Sequence, residues 1–334
     1  MAADYSGIIA NLKQKKYSPV YLLCGEESYY IDVISDYMEN NILDEGEKEF
    51  NLTVLYGRDV DAGKVVEQAK RYPLMSQYQL LILKEAQDMK TLDELSEYVK
   101  KPLSSTILVI CHKHKKYDKR KSLSGLVAKV GVYFESARLY QDKIPAWITD
   151  YAKNNGYNIN QKAAILLSDF LGTDLSKVAN ELNKLFILLP SGSTITEEII
   201  EKNIGISKDY NFFEFQEALA SRNVEKANRI VNYFNSNPKE NPLAKIVPMT
   251  YSFFSKVLLC YTLTDKSKPS VASALKIAPF LTGDYIKAVN QYSYPQLARI
   301  ISTLREFDLK SKGVDSGNAS GPDLMREMVF KILH

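Results

Sequence analysis

The sequence predicts an α/β half followed by an all-helical half. Three observations carry this expectation. Short apolar runs alternate with helical periodicity as far as about Tyr140. Beyond that point apolar residues recur at helical spacing alone. The first apolar run, Val20 to Cys24, passes through Gly25 into a helical pattern. Many nucleotide-binding folds begin with such a strand, turn and helix, and hold phosphate at the turn.

Each element has a local reason. Pro19 opens the first strand where a missing N–H is tolerated, Gly25 permits the turn, and Ser28 is the expected N-cap. Tyr30, Val33, Ile34, Tyr37 and Met38 then form one apolar helix face. Phe50 to Tyr56 reads as the second strand. Asp61 caps a helix carrying Val65, Val66 and Ala69, which Pro73 stops. Gln79 to Leu83 is the third strand, Thr91 to Lys100 a helix, Ser105 to Cys111 the fourth strand, Leu123 to Lys129 a helix, and Val130 to Phe134 the fifth strand. Such alternation predicts a mostly parallel sheet covered on both faces.

After Tyr140 the strands are expected to stop. Asp142 to Asn154 is helical, Asn160 caps Gln161 to Leu171, Gly172 ends that helix, and Asp174 caps the next. Thr196 begins another, closing a small helical region at about Ser207. Longer helices follow: Phe212 to Ala220, Val224 to Phe234, Pro242 to Thr262 and Tyr294 to Lys310. Asn235-Ser-Asn-Pro and Asp265-Lys-Ser-Lys-Pro read as loops, and Val314 to Pro322 as a polar loop before a last helix.

At 334 residues the chain has room for two or three domains. A net charge of +3 excludes a uniformly basic DNA-coating protein, so any nucleic-acid contact must come from a local patch. Cys24, Cys111 and Cys260 lie far apart with no Cys-x-x-Cys spacing, so reduced, buried thiols are expected and a zinc site is not. The N-terminus has no basic start and no sustained apolar stretch, and no segment is expected to reach the length of a membrane span. These features predict a soluble, cytoplasmic protein.

The first turn lacks what a triphosphate needs. A phosphate loop supplies two glycines, a lysine and a hydroxyl for magnesium; this turn reads Gly25-Glu-Glu-Ser-Tyr-Tyr. Glu26 and Glu27 place negative charge where phosphate would sit. Glu85 follows the third strand, where an ATPase carries its magnesium-binding acids, but Lys84 precedes it and disfavours a cation. No cofactor and no metal are therefore expected, and no Ser-His-Asp or Cys-His arrangement suggests catalysis. Cys111-His-Lys-His offers ligand types without a visible fourth ligand. The same stretch supplies Lys113, Lys115, Lys116, Lys119, Arg120 and Lys121, either a solvated loop or a contact for nucleic acid or another partner. Pro73, Leu74, Met75 and Ser76 lie between a helix and the third strand. There the two large apolar residues either cover the sheet edge or form an exposed wedge for a partner's pocket.

The order of these pieces resembles the delta subunit of the bacterial DNA polymerase III clamp loader, over nearly the whole chain. The resemblance lies in Pro19-Val-Tyr-Leu-Leu-Cys-Gly-Glu-Glu, in Pro73-Leu-Met-Ser followed by Gln79-Leu-Leu-Ile-Leu-Lys-Glu-Ala, and in Lys119-Arg-Lys before Leu123. Asn180-Glu-Leu-Asn-Lys-Leu, Asn211-Phe-Phe-Glu and Phe307-Asp-Leu-Lys-Ser-Lys-Gly extend it. It implies a RecA-like AAA+ domain with a degenerate nucleotide site at 1–140, a small helical lid at 141–208 and a helical collar at 209–334. It further implies a subunit that binds no ATP and opens a sliding clamp for loading onto primed DNA. Its partners would be the clamp, the other loader subunits through the collar, and DNA within the assembled loader. In the family a Leu-Phe pair enters a pocket on the clamp; the matching positions here are Leu74 and Met75, with methionine in place of the aromatic. Two other readings stay open: an AAA+ ATPase with an atypical site, and a DNA-binding module acting through residues 113–121.

Overall fold

A computed structural model describes residues 4–206 and 210–334. The described chain forms two compact units, Met1–Lys143 with Thr173–Ser176, and Ile144–Gly172 with Lys177–His334. The boundary expected near Ser207 lies outside the described residues.

The first unit runs α1 (Tyr5–Lys13), β1 (Val20–Gly25), α2 (Ser28–Asn41), α3 (Glu45–Asn51), β2 (Leu52–Tyr56), α4 (Ala62–Ala69), β3 (Gln79–Lys84), α5 (Ser96–Val99), β4 (Thr106–His112), α6 (Ser122–Val130) and β5 (Val132–Ser136). The five strands pair only in parallel, in the order β2-β3-β4-β1-β5. In register, Leu22 stands beside Ile110 on one side and Tyr133 on the other. Leu22, Leu81, Leu83, Leu108 and Ile110 pack on one face with Val65 of α4 and Leu123 and Val127 of α6. Leu23, Leu80, Ile82, Ile107 and Val109 pack on the other with Ile8 of α1 and Ile31 and Ile34 of α2. Burial on both faces explains why the strands read as unbroken apolar runs. Each such side chain contributes about 1.5–3 kcal/mol by leaving water.

The second unit contains α7 (Ile144–Asn154), β6 (Asn158–Ile159), α8 (Gln161–Leu171), all but the first two residues of α9 (Leu175–Leu188), β7 (Thr194–Ile195) and α10 (Glu197–Ile204). Then come α11 (Phe212–Ala220), α12 (Val224–Ser236), α13 (Leu243–Tyr261), α14 (Lys268–Leu275), α15 (Thr282–Gln291), α16 (Tyr294–Ser311) and α17 (Gly321–Leu333). One core joins α11 through α17, with Phe253 and Phe254 of α13 packed against Tyr285 and Tyr292. The Tyr292 hydroxyl donates to Leu219 O at 2.7 Å, so its burial leaves no lost hydrogen bond.

Several expectations change. Glu27, not Ser28, caps α2: its side chain accepts from Tyr29 N at 3.0 Å. The second strand begins at Leu52, because Phe50 belongs to α3, whose start is closed by a capping box of Asp44 and Glu47. Thr91 to Lys100 is a 3-10 turn followed by the four-residue α5. Strands do not stop at Tyr140, since β6 and β7 pair in parallel. Lys268 and Pro269 open α14 rather than a loop, and Gly321 and Pro322 open α17. Helix α13, 19 residues, is long and apolar enough to cross a membrane by length and composition, against the expectation that no segment reaches that length. In this fold it is the core helix, with Ile246, Val247, Phe253, Phe254 and Val257 buried among its neighbours.

Candidate functional site

Parallel strands give the first unit two distinct edges. The turn after β1 and the basic segment after β4 lie at the C-terminal edge; the residues entering β3 lie at the opposite one.

At the C-terminal edge the phosphate turn is closed by the chain itself. The Glu26 and Glu27 amides both donate to the Ser136 carbonyl, at 3.0 and 3.4 Å. Gly25 adopts φ +141°, and a Cβ there would lie 2.0 Å from the same oxygen. Amides that would cradle a phosphate in a functional loop thus hold the end of β5. Glu27 is buried, which raises its carboxyl above the usual range despite the Tyr29 amide. A second acid, Glu26, stands beside it, facing Lys116 at 3.9 Å.

Where a metal-binding acid pair would sit, a lysine is found instead. Lys113 Nζ lies 2.6 Å from Asp32 and 3.1 Å from Glu85. Burial opposes the Lys113 charge, but the two carboxylates outweigh it and raise the ammonium above its ordinary value. Burial likewise works against Glu85, yet Gln87 and Lys113 hold its carboxyl below the usual range. Lys84 pairs with Glu39 at 2.9 Å. Among the described residues no group of three His, Cys, Asp or Glu side chains could hold a metal ion. His112 is buried against Tyr117, and His114 Nδ1 lies 3.1 Å from Ser28 Oγ.

The basic segment is tied down by acids, most of them distant in sequence and one, Asp118, within the segment itself. Besides Lys113, Lys119 meets Glu135 at 2.5 Å, Arg120 meets Asp118 at 2.8 Å, and Lys121 meets Asp93. The Arg120 guanidinium holds the Asp118 carboxyl down at about 2. Lys115 pairs its backbone with Gly25, folding the segment over the closed turn, and has no ion-pair partner among the described residues.

The opposite edge carries an apolar tip. Leu74 is 56% exposed, Met75 96% and Tyr72 79%, while Pro73 and Ser76 are partly buried. Met75 sits at φ 53°, a left-handed conformation that disfavours a side chain by about 1 kcal/mol or more. The tip is nevertheless held. Buried Asn51, the last residue of α3, accepts from Leu74 N at 2.7 Å and donates to Leu74 O at 2.9 Å. Ser76 Oγ accepts from Tyr78 N at 3.4 Å and donates to Tyr78 O at 3.1 Å. Beside Asn51 in the chain, Phe50 is 64% exposed. The sequence places Phe50 and Asn51 in a strand and gives them no part in the site. The available signal was the Asp44-x-x-Glu47 box, which places both on a helix rather than in a strand.

The first unit is a parallel α/β sheet whose first turn is filled by backbone and whose acids surround a lysine, an arrangement in which the Glu26 and Glu27 amides of the turn are not free for a phosphate. Residues 21–136 match the family described as DNA polymerase III, delta subunit, and residues 209–321 match the C-terminal domain of that subunit. The chain belongs to the DNA polymerase III delta subunit family. It is 24% identical over 314 residues to the DNA polymerase III subunit delta of Bacillus subtilis, covering 90% of each chain. Among solved structures it resembles the Bacillus subtilis DNA clamp loader delta protein, with a TM-score of 0.55, 21% identity and 99% of both chains covered. As a delta subunit it works within a polymerase III clamp loader complex.

Proposed function

We propose that this chain binds a sliding clamp through Leu74 and Met75 and favours its open state without binding ATP itself. The observation that carries the reading is an exposed aliphatic pair whose backbone is fixed by a buried asparagine. Apolar side chains held out in water on an ordered segment lose little entropy when a pocket covers them. The closed turn at Gly25 supports the absence of an ATP step in this subunit. The wedge opens the clamp by binding the open form more tightly than the closed one. On this reading residues 1–140 form the clamp-contacting AAA+ domain, 141–208 the lid, and 209–334 the collar that joins the other loader subunits. Pro73 and Ser76 set the ends of the tip, and DNA is met only in the assembled loader. A direct DNA contact through Lys113 to Lys121 is the weaker reading, because five of its six cations already face acids of this chain.

The test is capture of the chain on an immobilised cognate clamp. The wild type should bind, and the Leu74→Ala, Met75→Ala double variant should not at the same concentration. Equal capture of the two proteins would reject the tip as the contact.

A further inference from the structure

The N-terminal ends of the strands carry charge in an ordered way. In sheet order, the segment entering β2 is acidic, with four acids between Asp44 and Glu49 against Lys48. The apolar tip enters β3. The segments entering β4 and β1 contain lysines and no acid: Lys101 in the first, and Lys13, Lys15 and Lys16 in the second. All four lysines are exposed, and none has an ion-pair partner among the described residues. Two contacts fix the layout around the tip. The Tyr17 ring packs edge-on against Tyr78 at 5.6 Å, joining the entry to β1 with the entry to β3. Gln79 N donates to Ser105 O at 2.9 Å, joining the entries to β3 and β4. The tip therefore lies on a boundary between an acidic flank and a basic one.

We infer that the clamp surface meeting this edge is asymmetric in charge: acidic beside the socket where it faces Lys13, Lys15, Lys16 and Lys101, and not acidic where it faces α3. This rests on the clamp-binding reading above and deepens it. Two aliphatic side chains in a socket leave the subunit free to dock at many angles about the tip. Unlike charge on its two flanks selects one angle. Exposed charges around an apolar centre add little to final affinity, but they steer the encounter and are screened by salt. The apolar tip then governs dissociation. A nucleic-acid backbone is the poorer partner for this edge. It would meet the acids before β2 and leave Leu74 and Met75 in water.

The test follows association and dissociation of the full chain with its cognate clamp across a salt series, beside binding to a short duplex DNA. The variant neutralises the lysines as K13Q/K15Q/K16Q/K101Q; all four side chains are exposed, so the fold is retained. The expected result is an association rate lower by roughly tenfold at low salt, a flatter salt dependence, and a dissociation rate within about twofold of wild type. Association at the wild-type rate with the wild-type salt slope overturns the inference, while faster dissociation of L74A/M75A in the same assay leaves the clamp-binding reading standing. Loss of duplex binding with unchanged clamp association overturns it too, and assigns the lysines to DNA. Failure of the wild-type chain to bind the clamp at any salt overturns both.

Discussion

Asn51 and Leu74, 23 residues apart, are joined by two hydrogen bonds between the Asn51 carboxamide and the Leu74 backbone, at 2.7 and 2.9 Å. The amide at the end of α3 does for the tip what a neighbouring strand would do: it satisfies one N–H and one C=O of a segment that has no ladder partner. Replacing Asn51 by alanine removes both bonds. We expect a stability loss of about 1–2 kcal/mol and clamp binding weakened by roughly tenfold, as the tip must then be ordered on binding. Denaturant unfolding reads the first, and a clamp titration the second. Backbone amide exchange at Leu74 should rise in the same variant.

Truncating the tip should separate binding from folding. Leu74→Ala and Met75→Ala should each cost about 2 kcal/mol of clamp affinity, roughly 30-fold, seen mainly in the dissociation rate. Both side chains are exposed, so the melting temperature should stay put. Met75→Gly is the sharper control. Glycine fits the left-handed backbone at φ 53°, so this variant should gain up to about 1 kcal/mol of stability while losing clamp affinity. A melt and a binding assay on one preparation check both halves.

Gly25→Ala should be severely destabilising. The new methyl would meet the Ser136 carbonyl at 2.0 Å, in a backbone conformation that L-residues rarely adopt. We expect a loss of at least about 3 kcal/mol, because relief requires breaking the β1–β5 junction. Gly172→Ala, where a Cβ meets nothing within 4 Å, tests the contribution of positive φ alone and should be milder.

The Lys113 cluster predicts two pH limits. The Glu85 carboxyl is depressed in the folded chain, so its contribution is present above the ordinary Glu value and disappears as pH falls through the lower folded value. The Lys113 ammonium is raised, so its contribution is full below the ordinary Lys value of 10.5 and disappears as pH climbs through the higher folded one. Urea unfolding of wild type against Lys113→Met should show the largest stability difference between these limits. The difference should narrow at both extremes.

Much of the architecture was legible because both faces of the sheet are buried. Runs such as Gln79 to Leu83 and Ser105 to Cys111 can serve only as interior strands, and the structure places β3 and β4 within one residue of those bounds. Helix α8 begins after its Asn160 cap and ends before Gly172 as read, and α11 spans the Phe212 to Ala220 stretch that its periodicity gives, with Asn211 as its cap. Short elements were not legible. A two-residue strand such as β6 has no periodicity, and α3 was hidden because its aromatic, Phe50, points to solvent and mimics the start of a strand.

The tip was legible only as a choice between covering the sheet edge and standing free. What decides it is Asn51, a partner 23 residues away that no local pattern reveals. The basic segment posed the same difficulty. Six cations in ten residues read as a patch, but Asp32, Glu85, Asp93 and Glu135 reach them only through the fold.

The measurement closest to the central claim is a calorimetric titration of the isolated chain into its cognate clamp, run without nucleotide and again with ATP and magnesium. The account predicts binding of the same affinity in both, abolished at these concentrations by the Leu74→Ala, Met75→Ala pair. Binding that requires ATP, or that survives loss of both side chains, would contradict it.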